Sequence, residues 1–125
     1  MTFDWTKYLI LAKELSERAN DEASLRSAIS RAYYAAFCTA RNRLLQEGEE
    51  IPRTGEAHNL VWEKYRESAH RGRKKIGVIG DRLRRSRNIA DYEDEFPNLD
   101  RKAYETVVST SDLLASLGAL DSDKR

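Results

Sequence analysis

Ten lysine and arginine residues fall between positions 64 and 87, against two acidic ones, in a chain whose formal net charge is only +1. Basic groups gathered on one surface attract phosphates and release counterions, so the segment points to a nucleic acid or nucleotide partner. The plainer alternative is a solvated helix face that pairs with carboxylates elsewhere. The flanks are acidic: residues 1–63 carry 8 basic and 10 acidic side chains, and residues 88–125 carry 4 and 9. Near the end of the basic run, Arg84, Arg85, Arg87 and Asn88 lead into Asp91 and Tyr92. Arg87 and Asp91 stand four apart, a spacing that makes an ion pair on a helix. An aspartate there could also orient an arginine toward a phosphate.

A second group is Ser30-Arg31-Ala32-Tyr33-Tyr34-Ala35-Ala36-Phe37. Arg31 in this apolar stretch needs a carboxylate, a carbonyl, water or a ligand. Tyr34 is turned about 100° from the stripe that Tyr33 and Phe37 share, which places it at the stripe edge or against a partner. The two histidines, His58 and His70, lack metal-ligand spacing, and Cys38 has no partner, so neither a metal nor another cofactor is expected.

These residues must be positioned by helices, because the apolar periodicity is three and four almost throughout. The spacing predicts helices over about 4–19, 22–47, 56–70, 72–90 and 99–117. The second, with an apolar stripe from Leu25 to Leu44, is the spine. Asn20 or Asp21 is placed to cap it, and Gly48 to stop it. Residues 48–55 read as a loop, with Thr54 as a cap for the third helix. Gly72, Gly77 and Gly80 weaken the fourth, with a break expected near Gly72. His70 is placed to favour a helix C-terminus. The apolar residues Ile76, Ile79 and Leu83 turn most of the basic side chains outward. The fold expected is all-α, an up-and-down bundle of four to five helices in one domain, with its core over about 4–118 and residues 121–125 frayed.

Composition removes other classes. The longest apolar run is seven residues, 32–38, where a membrane span needs about 20. No basic region precedes an apolar stretch at the N-terminus, and one cysteine forms no internal disulfide, so a cytoplasmic protein is expected.

The Ser30–Phe37 motif, Thr54-Gly55-Glu56-Ala57-His58, and Arg87-Asn88-Ile89-Ala90-Asp91-Tyr92 follow one another as in HEPN-domain proteins. The sequence most resembles the branch with a Ser-Arg-Ala-Tyr-Tyr helix and an Ala-Asp-Tyr ending. The resemblance implies a helical bundle that forms a homodimer, often beside a minimal nucleotidyltransferase partner in toxin–antitoxin or defence modules. Active relatives are metal-independent ribonucleases with an arginine and, four to six residues on, a histidine. Here Asp91 stands where that histidine would be, and an aspartate makes a poor general acid at neutral pH. Cys38 also replaces a histidine that many relatives carry.

Three functions compete. The first is RNA or nucleotide binding, or docking on the nucleotidyltransferase-type partner, without efficient cleavage. Its contact residues would be Arg31, Tyr34, Arg84, Arg85, Arg87, Asn88 and Tyr92. The second is a metal-independent endoribonuclease, with His58 or Asp91 moving the proton and Arg85 or Arg87 stabilising charge. The third is a structural dimerising module. The first is preferred.

Overall fold

Asp21 starts the longest helix, as its type predicts: its carboxylate accepts from the Ser24 backbone N–H at 3.2 Å and from the Ser24 hydroxyl at 2.8 Å. Asn20 sits just before it in the left-handed region, φ 70°. The computed structural model describes residues 2–121. It contains α1 (Lys7–Ser16), α2 (Glu22–Gln46), α3 (Glu56–Arg66), α4 (Arg71–Tyr92) and α5 (Leu99–Ala119), with no strand among the described residues.

The all-α bundle is as expected, and α2 is its spine, packed by all four other helices. Ala28, Ala32, Ala35, Ala36 and Ala40 are buried along it. Their small side chains let neighbouring helices come close on more than one side. Tyr33, Phe37 and Leu44 fill the space between, against Val61, Trp62 and Tyr65 of α3 and Leu113 of α5. A second, smaller apolar cluster joins Leu25 and Ile29 to Ala90 and Ala103.

Several local expectations change. The break falls at residues 67–70, so α3 is shorter than the spacing suggested. His70 does not cap a C-terminus; its Nδ1 accepts from the Arg73 N–H at 3.2 Å, at the N-terminus of α4. Gly55, not Thr54, begins α3, with no side-chain cap. Gly77 and Gly80 do not interrupt α4. They let it lie directly on α3: a Cβ on Gly77 would stand 2.7 Å from the Trp62 carbonyl, and one on Gly80 would overlap the Trp62 ring. The backbone cost of glycine is offset by burial of a tryptophan that a larger residue would exclude.

On α5 the buried stripe is Ala103, Thr106, Thr110, Leu113 and Leu117, while Tyr104 faces solvent. Thr106 is tolerated inside because its hydroxyl donates to the Lys102 carbonyl at 2.7 Å. Asp121 is engaged, not frayed, since its carboxylate accepts from Arg43 at 2.9 Å. Residues 122–125 lie outside the described residues.

Candidate functional site

The end of α4 is fixed by an arginine from α2. Arg26 donates to the carbonyls of Ala90 at 3.0 Å, Glu93 at 2.6 Å and Asp94 at 2.9 Å. These include carbonyls that a helix end leaves unpaired, and a cation there suits the negative end of the helix dipole. The clasp positions Arg87 and Asp91 against the middle of α2.

Arg87 turns inward, unlike most of the basic run. Its side chain is 9% exposed and reaches Asp91 at 3.6 Å. Its guanidinium lies 5.1 Å from the Tyr33 ring centre and 5.5 Å from that of Tyr34. Arg31 lies 5.2 Å from the same Tyr34 ring and 5.0 Å from Tyr8 of α1. Arg87, Tyr34, Arg31 and Tyr8 thus form a continuous ladder in which cations alternate with aromatic rings. A stacked guanidinium is held by its face and keeps its N–H edge available for hydrogen bonds. Ser30 joins the two arginines: its hydroxyl donates to Asp91 and accepts from Arg31, each at 3.4 Å.

His58 lies beside this ladder. The Trp62 indole N–H donates to the Tyr33 hydroxyl at 3.1 Å, and the Tyr33 hydroxyl is 2.7 Å from His58 Nδ1. The arrangement in which the phenol oxygen accepts the indole N–H and the phenol O–H donates to Nδ1 satisfies all three groups. The imidazole proton then resides on Nε2. Burial, followed by the charges of Arg87, Arg84 and Arg41, pushes the His58 pKa down to about 4. The ring is therefore neutral near pH 7. Phe37 stacks on it at 4.1 Å between ring centres.

The other sequence-predicted residues fall elsewhere. Arg84 and Arg85 both turn back to Asp81, each at 2.9 Å, and Arg66 reaches the same carboxylate at 3.4 Å. Burial opposes the charge of Asp81, but the Arg84 hydrogen bonds and the three guanidiniums outweigh it and lower its pKa. Arg85 and Tyr92 are exposed, and Asn88 is half-buried. Lys64 pairs with Glu49 and Arg73 with Glu47. Six of the ten basic side chains between 64 and 87 thus have a carboxylate partner among the described residues. The solvated-face alternative accounts for much of that segment.

The arginines of the acidic N-terminal half are different. A cavity of about 1000 Å³ opens between α1, α2 and the loop before α3. Arg31, Arg41 and Arg53 line it together with Trp5, Tyr8 and His58, and no Asp or Glu does. Arg41 rests over Trp5 and Phe37, 5.8 Å from each ring centre. Sequence reasoning missed Trp5, Arg41 and Arg53. The cavity draws on segments up to about fifty positions apart, and none of them is basic on its own. Among the described residues no group of three or more His, Cys, Asp or Glu could hold a metal ion, and no helix is long and apolar enough to cross a membrane.

The family model for the HEPN domain matches residues 6–117, which takes in α1 to α4, nearly all of α5 and the three motifs. The chain belongs to the HEPN domain family. That match covers the Ser30–Phe37 motif on α2, the α3 start at His58 and the Arg87–Asp91 pair, the parts that the ladder brings together. No curated protein and no solved structure matches the chain.

Proposed function

We propose that this HEPN-domain protein binds RNA or a nucleotide along the arginine–tyrosine ladder and does not cleave it. The observation that carries the reading is the alternation of Arg87, Tyr34, Arg31 and Tyr8, which ends at a cavity without a carboxylate. Arg31, held between the Tyr8 and Tyr34 rings, is preorganised for phosphate oxygens, Arg87 backs Tyr34 from the buried side, and the aromatic wall suits a base. The absence of cleavage follows from the groups around the ladder. Asp91 is committed to Arg87 and Ser30, and His58 uses Nδ1 for the Tyr33 hydroxyl. These engagements, with an aspartate where the motif histidine is expected, favour binding over proton transfer.

The test is fluorescence anisotropy with a short labelled single-stranded RNA, followed over a salt series. Arg31→Gln with Tyr34→Leu is expected to weaken binding about tenfold or more, a loss of roughly 1.4 kcal/mol. Undiminished binding by that pair overturns the reading. The same RNA should remain intact in EDTA. Metal-independent products with 2′,3′-cyclic phosphate ends would instead establish the endoribonuclease.

A further inference from the structure

The ladder leads into a space with its own chemistry, and three independent features of that space select for the same ligand group. The first is charge. Arg31, Arg41 and Arg53 all line the cavity, and none has a carboxylate within ion-pair distance among the described residues. Arg31 and Arg41 are each stacked on aromatic rings, so their direction is set before any ligand arrives.

The second feature is the start of α3. This helix has 11 residues from Glu56, with Gly55 at its N-cap position and no side-chain cap. Thr54, Gly55, Ala57 and His58 line the cavity, so the helix dipole points its positive end there, while the Ala57 and His58 N–H groups are taken by the Thr54 and Gly55 carbonyls at 3.0 and 3.3 Å. A Cβ on Gly55 would meet nothing within 4 Å, so no neighbouring side chain crowds that end. The third feature is His58. Its Nδ1 is occupied by Tyr33, which leaves Nε2–H as a donor on a ring that lines the same space. The guanidinium edges and the imidazole N–H are donors, and the helix end adds its dipole. The walls hold no acid that would repel an anion.

Three guanidiniums and a helix N-terminus suit a ligand with two negative charges better than one with a single charge. An internal phosphodiester carries one; a phosphomonoester carries close to two near pH 7. A volume of about 1000 Å³ is at the upper end of small-ligand sites, with room for a phosphate and an attached nucleoside. Trp5 and Tyr8 provide the aromatic wall beside it.

We infer that the cavity between α1, α2 and the start of α3 receives a nucleotide phosphomonoester, either a free nucleoside monophosphate or the phosphorylated end of an RNA. This deepens the binding reading above and rests on it. Arg31 and Arg41 hold the phosphate from the α2 side, the α3 N-terminus and His58 Nε2–H from the opposite element, and Arg53 closes over it from the loop. The ladder then guides the rest of an RNA strand away from its anchored end.

Isothermal titration calorimetry on the full chain separates the possibilities. The probes are AMP, adenosine, and a single-stranded RNA of about eight nucleotides carrying a 5′-phosphate, a 3′-phosphate or hydroxyls at both ends. AMP, a phosphorylated RNA or both should bind at least about tenfold tighter than the phosphate-free counterpart. A preference in AMP alone identifies a free nucleotide, and one in RNA alone identifies a strand end. Arg53→Gln, in an exposed loop, should reduce the preference to about threefold or less with an unchanged melting temperature. Arg82→Gln, which does not line the cavity, should leave it intact. Equal affinity for phosphorylated and hydroxyl-ended probes overturns this inference. If the hydroxyl-ended RNA still binds through Arg31 and Tyr34, the wider reading survives that result. If no probe binds, both fall.

Discussion

Arg84 and Arg85 on α4 and Arg31 and Arg41 on α2 are the same residue type in opposite states. The α4 pair shares Asp81 with Arg66, and the α2 pair rests on aromatic rings with no acid partner among the described residues. The first arrangement gives high local charge in the sequence but much of it is neutralised at short range. The second lies in an acidic half of the chain and keeps its charge for a ligand. Where a cation is spent matters more than how many share a segment.

The sharpest way to test this contrast is to remove an arginine that is paired and stacked and one that is neither. Arg87 is the first, being paired with Asp91 and stacked in the ladder. Arg87→Ala should lower stability by about 2–3 kcal/mol, below the cost for a fully buried pair because Asp91 keeps some solvent. Arg53→Ala should stay within about 0.5 kcal/mol, since an exposed loop cation makes no such contacts. Chemical denaturation monitored by circular dichroism reads both, and equal losses would erase the distinction.

Tyr33→Phe should cost about 1–2 kcal/mol by the same measurement, because the buried Trp62 indole N–H loses its acceptor. The stacking of Tyr33 with Phe37 is retained in that variant, so the loss reads the hydroxyl's two bonds, to the Trp62 indole and to His58 Nδ1, and no loss would show that neither is worth anything.

A smaller effect comes from pH. His58 has a folded pKa of about 4 against an ordinary value of 6.5, so the unfolded chain binds the extra proton between those values. Stability is then full above about pH 6.5, falls as pH drops toward 4, and levels off below. Discounted for partial exposure, the change is roughly 1 kcal/mol. His58→Phe should remove this part of the pH profile; an unchanged slope would place the titrating group elsewhere.

Asp81→Asn should also change stability little, within about 1 kcal/mol, because the pairs it breaks are partly solvated. Its binding consequence is more telling. Three released guanidiniums should steepen the salt dependence of RNA affinity by up to about three in log–log slope. A slope that does not move would mean that α4 never meets the phosphates.

Much of this architecture was legible. The Asp21 cap, the α2 stripe and the order of the motifs follow from residue types at helical spacing. Asp81 precedes Arg84 and Arg85 by three and four positions, so that pairing was also visible and competed with the reading of a phosphate-binding run. Trp62 was less accessible, because it lies one position off the stripe of Ala57, Val61 and Tyr65, and its burial depends on space that only α4 supplies. Gly77 and Gly80 read as weak points because sequence displays the cost of a glycine and not the ring that occupies its missing side chain. The cavity escaped for a related reason: Trp5, Arg41 and Arg53 become neighbours only after α1 and the loop before α3 fold onto α2.

The contact between Gly80 and Trp62 has a consequence for how this chain can diverge. One position contributes bulk and the other contributes vacancy, so neither is free to drift alone. Adding a methyl at position 80 requires trimming position 62, and a smaller residue at 62 opens a void that a side chain at 80 could refill. Related sequences should therefore exchange bulk between these two sites as a linked pair, a relation detectable by counting substitutions even where binding activity has changed.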